Sequence, residues 1–269
     1  MESITLVAPD ISCEHCQHAI EGAVGKMEGV KNVKVDIPTK TVRRSDCPSP
    51  TFSLGTARTW LIGACRSIHA FREFLRANGD TPEEQEWVAA KLMGRWRSGA
   101  PLALAPDKDD PALAADPQRN NDFTYAKSDP YGYATPLGSH IRRMNPRDTA
   151  VNMQRRRMIR RGATYGPPLA EGAPEDGIDR GVAAFVLCAS LVRQFEFAQN
   201  VWINDPNFHE LGNERDPIIG AQDGTFDLTI PKRPVRRKIR GLPAFTTVKS
   251  GAYFFLPGIG ALRYLATLS

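Results

Sequence analysis

Two groups of residues in this chain have side chains and spacing that could do chemistry. The stretch PLGSHIRRMNPRD holds one of only five histidines, His140, between a Gly-Ser turn and Arg142, Arg143 and Arg147. Its imidazole is suited to a metal ion, and the arginines beside it to acidic groups. The plain alternative is a surface loop whose histidine has no task. The second group is ISCEHCQHAI, where Cys13 and Cys16 stand two residues apart with His15 and His18 beside them. Two thiolates at that spacing can grip one soft metal ion, and a helix N-terminus would favour the ligating thiolate form. A redox pair or a vestigial pair are the competing readings.

The elements that would position these residues follow from periodicity. Ile4, Leu6 and Ala8 alternate as in a half-buried strand, Ile20, Ala23, Val24 and Met27 form the apolar stripe of a helix, and Val33, Val35 and Ile37 alternate again. This predicts a β-α-β unit over residues 1–42, with Cys13 and Cys16 between its first strand and its helix. Residues 43–54 lose all periodicity and are read as a linker. From residue 55 onward ARTWLIGACRSI reads as a strand and HAFREFLRANG as a helix. Thr81 and Pro82 then mark a helix start, as N-cap and first helical residue. Residues 98–140 form a long irregular region, a length usually tied to function or disorder. AAFVLCAS reads as a buried strand, LVRQFEFAQNVW as the helix after it, and GAYFFLPGIGALRYLATL as a strand, a turn and a short helix. The fold class is α+β.

Composition narrows the function classes. A 41% hydrophobic and 24% charged chain of 269 residues is an ordinary globular sequence. No stretch reaches the roughly 18 apolar residues of a membrane span. An odd count of five cysteines argues against a disulfide scaffold. With no secretory signal read at the N-terminus, the expectation is a cytoplasmic protein. The net charge of +5 is unevenly spread: residues 142–161 carry eight arginines against one acid, Asp148, and KRPVRRKIR (232–240) is a second basic stretch. Such clusters face solvent, meet nucleic acid, or hold an anionic cofactor. No aromatic residues interleave with either cluster along the chain, which argues against single-strand binding.

ISCEHCQHAI resembles the metal site of heavy-metal-associated domains, found in copper chaperones and metal-transporting ATPases, although Ile11 stands where that family has methionine. The likeness implies Cu(I) or zinc at Cys13 and Cys16 and covers about half of such a domain. PLGSHIRRMNPRD in turn resembles the proximal segment of dye-decolorizing peroxidases, with RRRMIRRGATYGPPL, EWVAAKLMGRWRSGAPL, RQFEFAQNVW, DPIIGAQDGTFDLTIP and GAYFFLPGIGALRYLA as further matching stretches. The resemblance runs over residues 55–269 and implies that family's ferredoxin-like α/β sandwich, here the C-terminal heme-binding domain. It implies heme b with His140 as axial iron ligand and Arg160 as the distal catalytic arginine. Arg142 is then the first candidate partner for a heme propionate, and Glu196 the candidate acceptor for the second ring nitrogen of His140. The expected partners are hydrogen peroxide and an aromatic small molecule; a membrane and nucleic acid have no place in this reading, and a homo-oligomer is compatible with it.

One departure tempers the expected activity. The family's Gly-x-x-Asp-Gly segment, whose aspartate moves a proton between peroxide oxygens, lies upstream of the proximal histidine. Here GAQDG (220–224) has the right letters but follows both His140 and Arg160, so Asp223 is not assigned as catalytic acid. Loss of a general acid–base costs on the order of 10²–10⁴ in rate. The expectation is a heme peroxidase of impaired activity, with a metal-chaperone role through Cys13 and Cys16 as the alternative.

Overall fold

The computed structural model describes residues 3–7, 17, 21, 32–39, 41–45, 57–65, 68–150, 153–170 and 172–267. The chain divides into two units, residues 1–55 with 257–269 and residues 56–256. The sequence assigns residues 257–269 to the large domain; in the structure they group with the first unit.

In the first unit β1 (Ser3–Val7), β2 (Asn32–Asp36) and β3 (Thr41–Ser45) form an antiparallel sheet with β3 in the middle. Its register sets Leu6 and Val35 opposite Val42. Strand β3 is a correction to the sequence reading, which ends the unit at residue 42 and begins a linker there. Thr41 and Val42 favour a strand, but Arg43 and Arg44 break the apolar alternation that would betray it. The β2–β3 connection is closed by the Asp36 carboxylate, which accepts from Thr39 N–H at 2.9 Å, the local turn chemistry typical of Asp. Gln17 and Glu21 are helical, and the Glu21 carboxylate accepts from Val35 N–H at 3.1 Å, tying helix to sheet. A short helix, Ile259–Leu265, completes the described part of this unit. Cys13 and Cys16 lie outside the described residues.

The second unit runs β4 (Ala57–Cys65), α1 (Ile68–Ala77), α2 (Pro82–Met93), α3 (Pro111–Ala115), α4 (His140–Met144), β5 (Ile159–Tyr165), β6 (Gly181–Cys188), β7 (Leu228–Ile230), β8 (Arg237–Ile239) and β9 (Thr246–Phe255). Strands β5-β6-β4-β9 form an antiparallel sheet in that order, and β7 and β8 a separate hairpin. Between β6 and β7 the segments Val192–Glu196 and Ala198–Ile203 wind with wide π-type turns, a geometry often kept at functional sites.

Helix α2 starts where local chemistry dictates. Thr81 Oγ1 accepts from Glu84 N–H at 3.2 Å, with Pro82 in the first turn. It ends at Gly94 (φ 92°), where a side chain would be strained and would run into Ile141 of α4. The close approach of α2 and α4 thus depends on that glycine. The apolar faces of α1 and α2 bury Leu75, Val88 and Leu92 against Leu228, Ile230, Ile239 and Leu242 on and beside the β7–β8 hairpin.

The irregular region before α4 is ordered by charged cross-links. Arg95 and Arg147 donate to Asn121 Oδ1, each at 3.0 Å, and Arg147 also reaches Phe123 O at 2.8 Å. Asp148 Oδ1 accepts from Tyr125 N–H at 2.8 Å and Ala126 N–H at 3.1 Å. Arg147 and the one acid of the arginine-rich stretch therefore hold a loop in place, with neither left free for a ligand.

Candidate active site

His140 opens α4. The residue before it, Ser139, is the buried N-cap, and Gly138 lies so close to Glu214 and Leu228 that a Cβ there would overlap both. This clearance sets the helix start against the segment 214–216. The Nδ1 of His140 lies 3.1 Å and 2.9 Å from the two carboxylate oxygens of Asp216. Asp216 is fully buried, while the His140 side chain retains 18% exposure. The carboxylate also accepts from Ile218 N–H (2.9 Å) and Ile219 N–H (3.0 Å). Burial is the largest single influence on Asp216 and would raise its pKa. The facing imidazole and the backbone donors outweigh it, so the carboxyl sits below its ordinary value. Asp216 is held as an anion, which keeps the proton of a neutral imidazole on Nδ1. The Nε2 lone pair is left without a partner among the described residues.

Glu196 does not occupy the place expected for it. Asp216 fills the acceptor position at Nδ1, and Glu196 instead interacts with Tyr253 on β9. The sequence held a signal for Asp216: an aspartate opening DPIIG can cap its own turn through the next backbone N–H groups, as it does here.

Arg142 is also reassigned. It is fully buried, donating from Nη1 to Asp129 Oδ2 (3.2 Å) and Thr135 O (2.8 Å) and from Nη2 to Asp129 O (2.9 Å), with its guanidinium 4.4 Å from the Tyr125 ring centre. Arg143 is equally enclosed, donating to the carbonyls of Trp202, Glu214 (3.1 Å) and Asp205 (2.7 Å). Neither guanidinium is presented to a ligand. Both clamp α4 to its surroundings, and Arg143 ties it directly to the backbone of the segment 202–214 that leads to Asp216.

Arg160 lies on β5 opposite Val186 and is exposed, with no hydrogen-bond or ion-pair partner among the described residues. With Arg156, Arg157, Met158 and Trp202 it lines a cavity of about 200 Å³ that reaches Met144. Met144 and His140 are four residues apart on one helical turn and so share a face. The cationic cavity and the histidine thus belong to one side of α4. Its volume is below the roughly 300–1,000 Å³ of ordinary ligand sites. His140 itself does not line this cavity. Asp223 is exposed, and its carboxylate accepts from the backbone and hydroxyl of Thr225, within its own turn.

Glu214 emerges beside this site. It is almost fully buried, with one carboxylate oxygen accepting from Thr229 N–H at 2.9 Å and the other unpaired against Gly138. Burial pushes its carboxyl up to about 7.

Residues 5–43 match the heavy-metal-associated domain model. A dye-decolorizing peroxidase of Mycena epipterygia is 40% identical over 238 residues, covering 74% of this chain and 45% of that protein. One from Exidia glandulosa is 37% identical over 194 residues, with 67% and 38% covered. Among solved structures, a dye-decolorizing peroxidase in complex with 2,6-dimethoxyphenol superposes with a TM-score of 0.69 at 31% identity, over 80% of this chain and 52% of the other. The peroxidase of Auricularia auricula-judae gives 0.65 at 26% identity, with 80% and 54% covered. The chain spans about half the length of the relatives it matches. Over most of its length it belongs to the dye-decolorizing peroxidase family, preceded by a segment of heavy-metal-associated type.

Proposed function

We propose that the second unit binds heme b through His140 Nε2 and supports oxidation of aromatic compounds by hydrogen peroxide. The observation that carries the proposal is the His140–Asp216 pair: a buried carboxylate accepts from Nδ1–H and leaves the Nε2 lone pair without a partner among the described residues, on a side chain that keeps 18% exposure. Histidine ligands of metal centres are ordinarily held this way, by an acceptor that fixes the tautomer and raises basicity. The donor set therefore fits an imidazole that would hold the heme iron. Heme, when bound, would supply the redox chemistry with peroxide. Asp216 would orient the ring and retain the proton at Nδ1. Arg160, permanently charged, would stabilise negative charge developing on a peroxide oxygen. Arg142 has no part in holding propionates in this scheme. Arg157, exposed beside Arg160, is better placed to meet a carboxylate, since Arg156 already donates to Arg193 O and lies on the Phe197 ring.

Two arms test this. The purified protein titrated with hemin should develop a Soret band that His140→Ala lacks; absence of the band in both proteins would remove the proposal. Peroxide-driven turnover of an anthraquinone dye should then fall by about 10²–10³ in Arg160→Ala, the cost of losing one charge-stabilising donor. Equal turnover would sink the distal assignment while leaving heme binding intact.

A second reading rests on the heavy-metal-associated match at residues 5–43. We infer that Cys13 and Cys16 bind one Cu(I) or zinc ion. One equivalent of metal should be retained by the full chain and lost in Cys13→Ser. The cysteine usage supports placement in the cytoplasm, and no helix among the described residues is long and apolar enough to cross a membrane.

A further inference from the structure

The second basic stretch, residues 232–240, has no part in the His140 site. In the fold it meets aromatic residues that are far from it in sequence. Arg233 lies 5.6 Å from the Tyr133 ring centre and donates to its hydroxyl at 3.1 Å. Together with Trp87, Lys91, Asp107 and Lys232 they line a cavity of about 730 Å³. Its volume lies within the ordinary range for a small-molecule site, and its walls combine flat apolar surface with a few placed charges.

The charges are arranged asymmetrically. Lys91 is buried, with its ammonium donating to Tyr133 O (3.0 Å) and Ala134 O (2.5 Å) and lying 5.4 Å from the Trp87 ring centre. An ammonium has three hydrogens to donate, so one remains beyond those two carbonyls. Lys232 and Arg233 are exposed on the loop after β7. Three cationic side chains therefore border the space. Asp129, another lining residue, is already neutralised by Arg142. Asp107 faces the Lys91 ammonium electrostatically but takes no hydrogen bond among the described residues, so its carboxylate still offers an acceptor. A ligand matching this lining has a flat ring to lie against Trp87 and Tyr133, a doubly charged anionic group for the cations, and hydrogen-bond donors for Asp107. A ring with two anionic ends would be repelled by Asp107, and an uncharged ring would leave the cations unmatched.

We propose that this cavity is a binding site for a small aromatic phosphate ester, of which a nucleoside monophosphate is the representative. It is separate from the His140 site and independent of heme.

The test is calorimetric titration of the full chain with AMP, alongside adenosine, inorganic phosphate and anthraquinone-2-sulfonate. AMP should bind at least tenfold more tightly than adenosine or phosphate alone, since each lacks one half of the match. Arg233→Ala should weaken AMP about tenfold or more, as expected when one charge-assisted contact is lost. Trp87→Leu should weaken AMP and adenosine alike, because stacking does not depend on the phosphate. The Soret titration of Arg233→Ala should match wild type, so failure here is distinguishable from failure of the heme reading. The proposal is overturned by any of three results. These are no AMP binding at 5 mM, equal AMP binding in Arg233→Ala, or tighter binding of anthraquinone-2-sulfonate than of AMP, which would make the cavity a general aryl-anion site.

Discussion

Replacing Asp216 by Asn is the sharpest perturbation available, because it changes one atom in a fully buried group. The carboxylate now accepts from His140 Nδ1, Ile218 N–H and Ile219 N–H. Both backbone bonds go to Oδ1 and the shorter histidine contact to Oδ2, so an asparagine must place its NH₂ against one set or the other. Turned to keep the two backbone bonds, it points its NH₂ at Nδ1. Turned to keep the histidine bond, it leaves two buried N–H groups unmatched, each typically worth about 1–3 kcal/mol when unsatisfied. The first orientation wins by roughly one such bond. It forces Nδ1 to accept and moves the ring hydrogen to Nε2, the nitrogen needed as a ligand. Loss of an orienting partner commonly costs about 10–100-fold in metal affinity, or about 1.4–2.8 kcal/mol. Hemin titration followed at the Soret band should therefore give a Kd raised by that factor, with unchanged near-ultraviolet circular dichroism. Nitrogen-15 shifts of the His140 ring in the heme-free protein should report the switch from the Nδ1–H to the Nε2–H tautomer. The argument has a stability consequence as well. The carboxyl of Asp216 is held below its ordinary value, so its contribution is complete above the unfolded value near 4 and is lost as pH falls through the lower folded value. The gap in stability between wild type and variant should narrow in acid. A hemin Kd within twofold of wild type, in a correctly folded variant, would refute the claim that Asp216 sets the tautomer.

The remaining predictions concern the groups around this pair. Glu214, raised to about 7 by burial, binds a proton in the folded chain that the unfolded chain releases near 4.3. Stability should fall as pH rises from about 4.3 to 7, by up to about 4 kcal/mol, and level off above; thermal melts of Glu214→Gln should lack that slope, and an identical slope would reject the assignment. Arg142→Ala leaves the Asp129 carboxylate without its cation and should cost about 3–5 kcal/mol in urea unfolding, whereas a surface propionate ligand would cost under about 0.5. Gly138→Ala drives a methyl group into the Glu214 carboxylate and Leu228 and should destabilise by about 1–3 kcal/mol. Trimming Glu214 to alanine in the same chain should recover part of that loss, and no recovery would place the strain elsewhere.

Where the chemistry is local, residue order alone was enough. Thr81 and Pro82 mark the start of α2 because an N-cap needs only a side-chain oxygen and the next few N–H groups. The apolar run AAFVLCAS announces a strand for similar reasons, and the structure places it at Gly181–Cys188. Likewise His140 was conspicuous among its neighbours. What could not be read is whatever depends on partners remote along the chain. Asp216 lies 76 residues from His140, and Glu196 offers the same carboxylate chemistry; only packing of the segment after residue 213 against α4 chooses between them. Arg142 and Arg143 look like solvent cations in a basic cluster. They are buried instead, because carbonyl oxygens and Asp129 converge on them from loops that no local pattern links to α4. Strand β3 hides behind Arg43 and Arg44, since on a strand the partner across the ladder, more than the residue's own polarity, decides whether it pairs. The aromatic residues missing from the second basic stretch along the sequence arrive from α2 and from the loop before α4. Residue types thus set which chemistry was available, and the fold, by bringing remote groups within hydrogen-bond reach and excluding water from them, decided which of it was assembled.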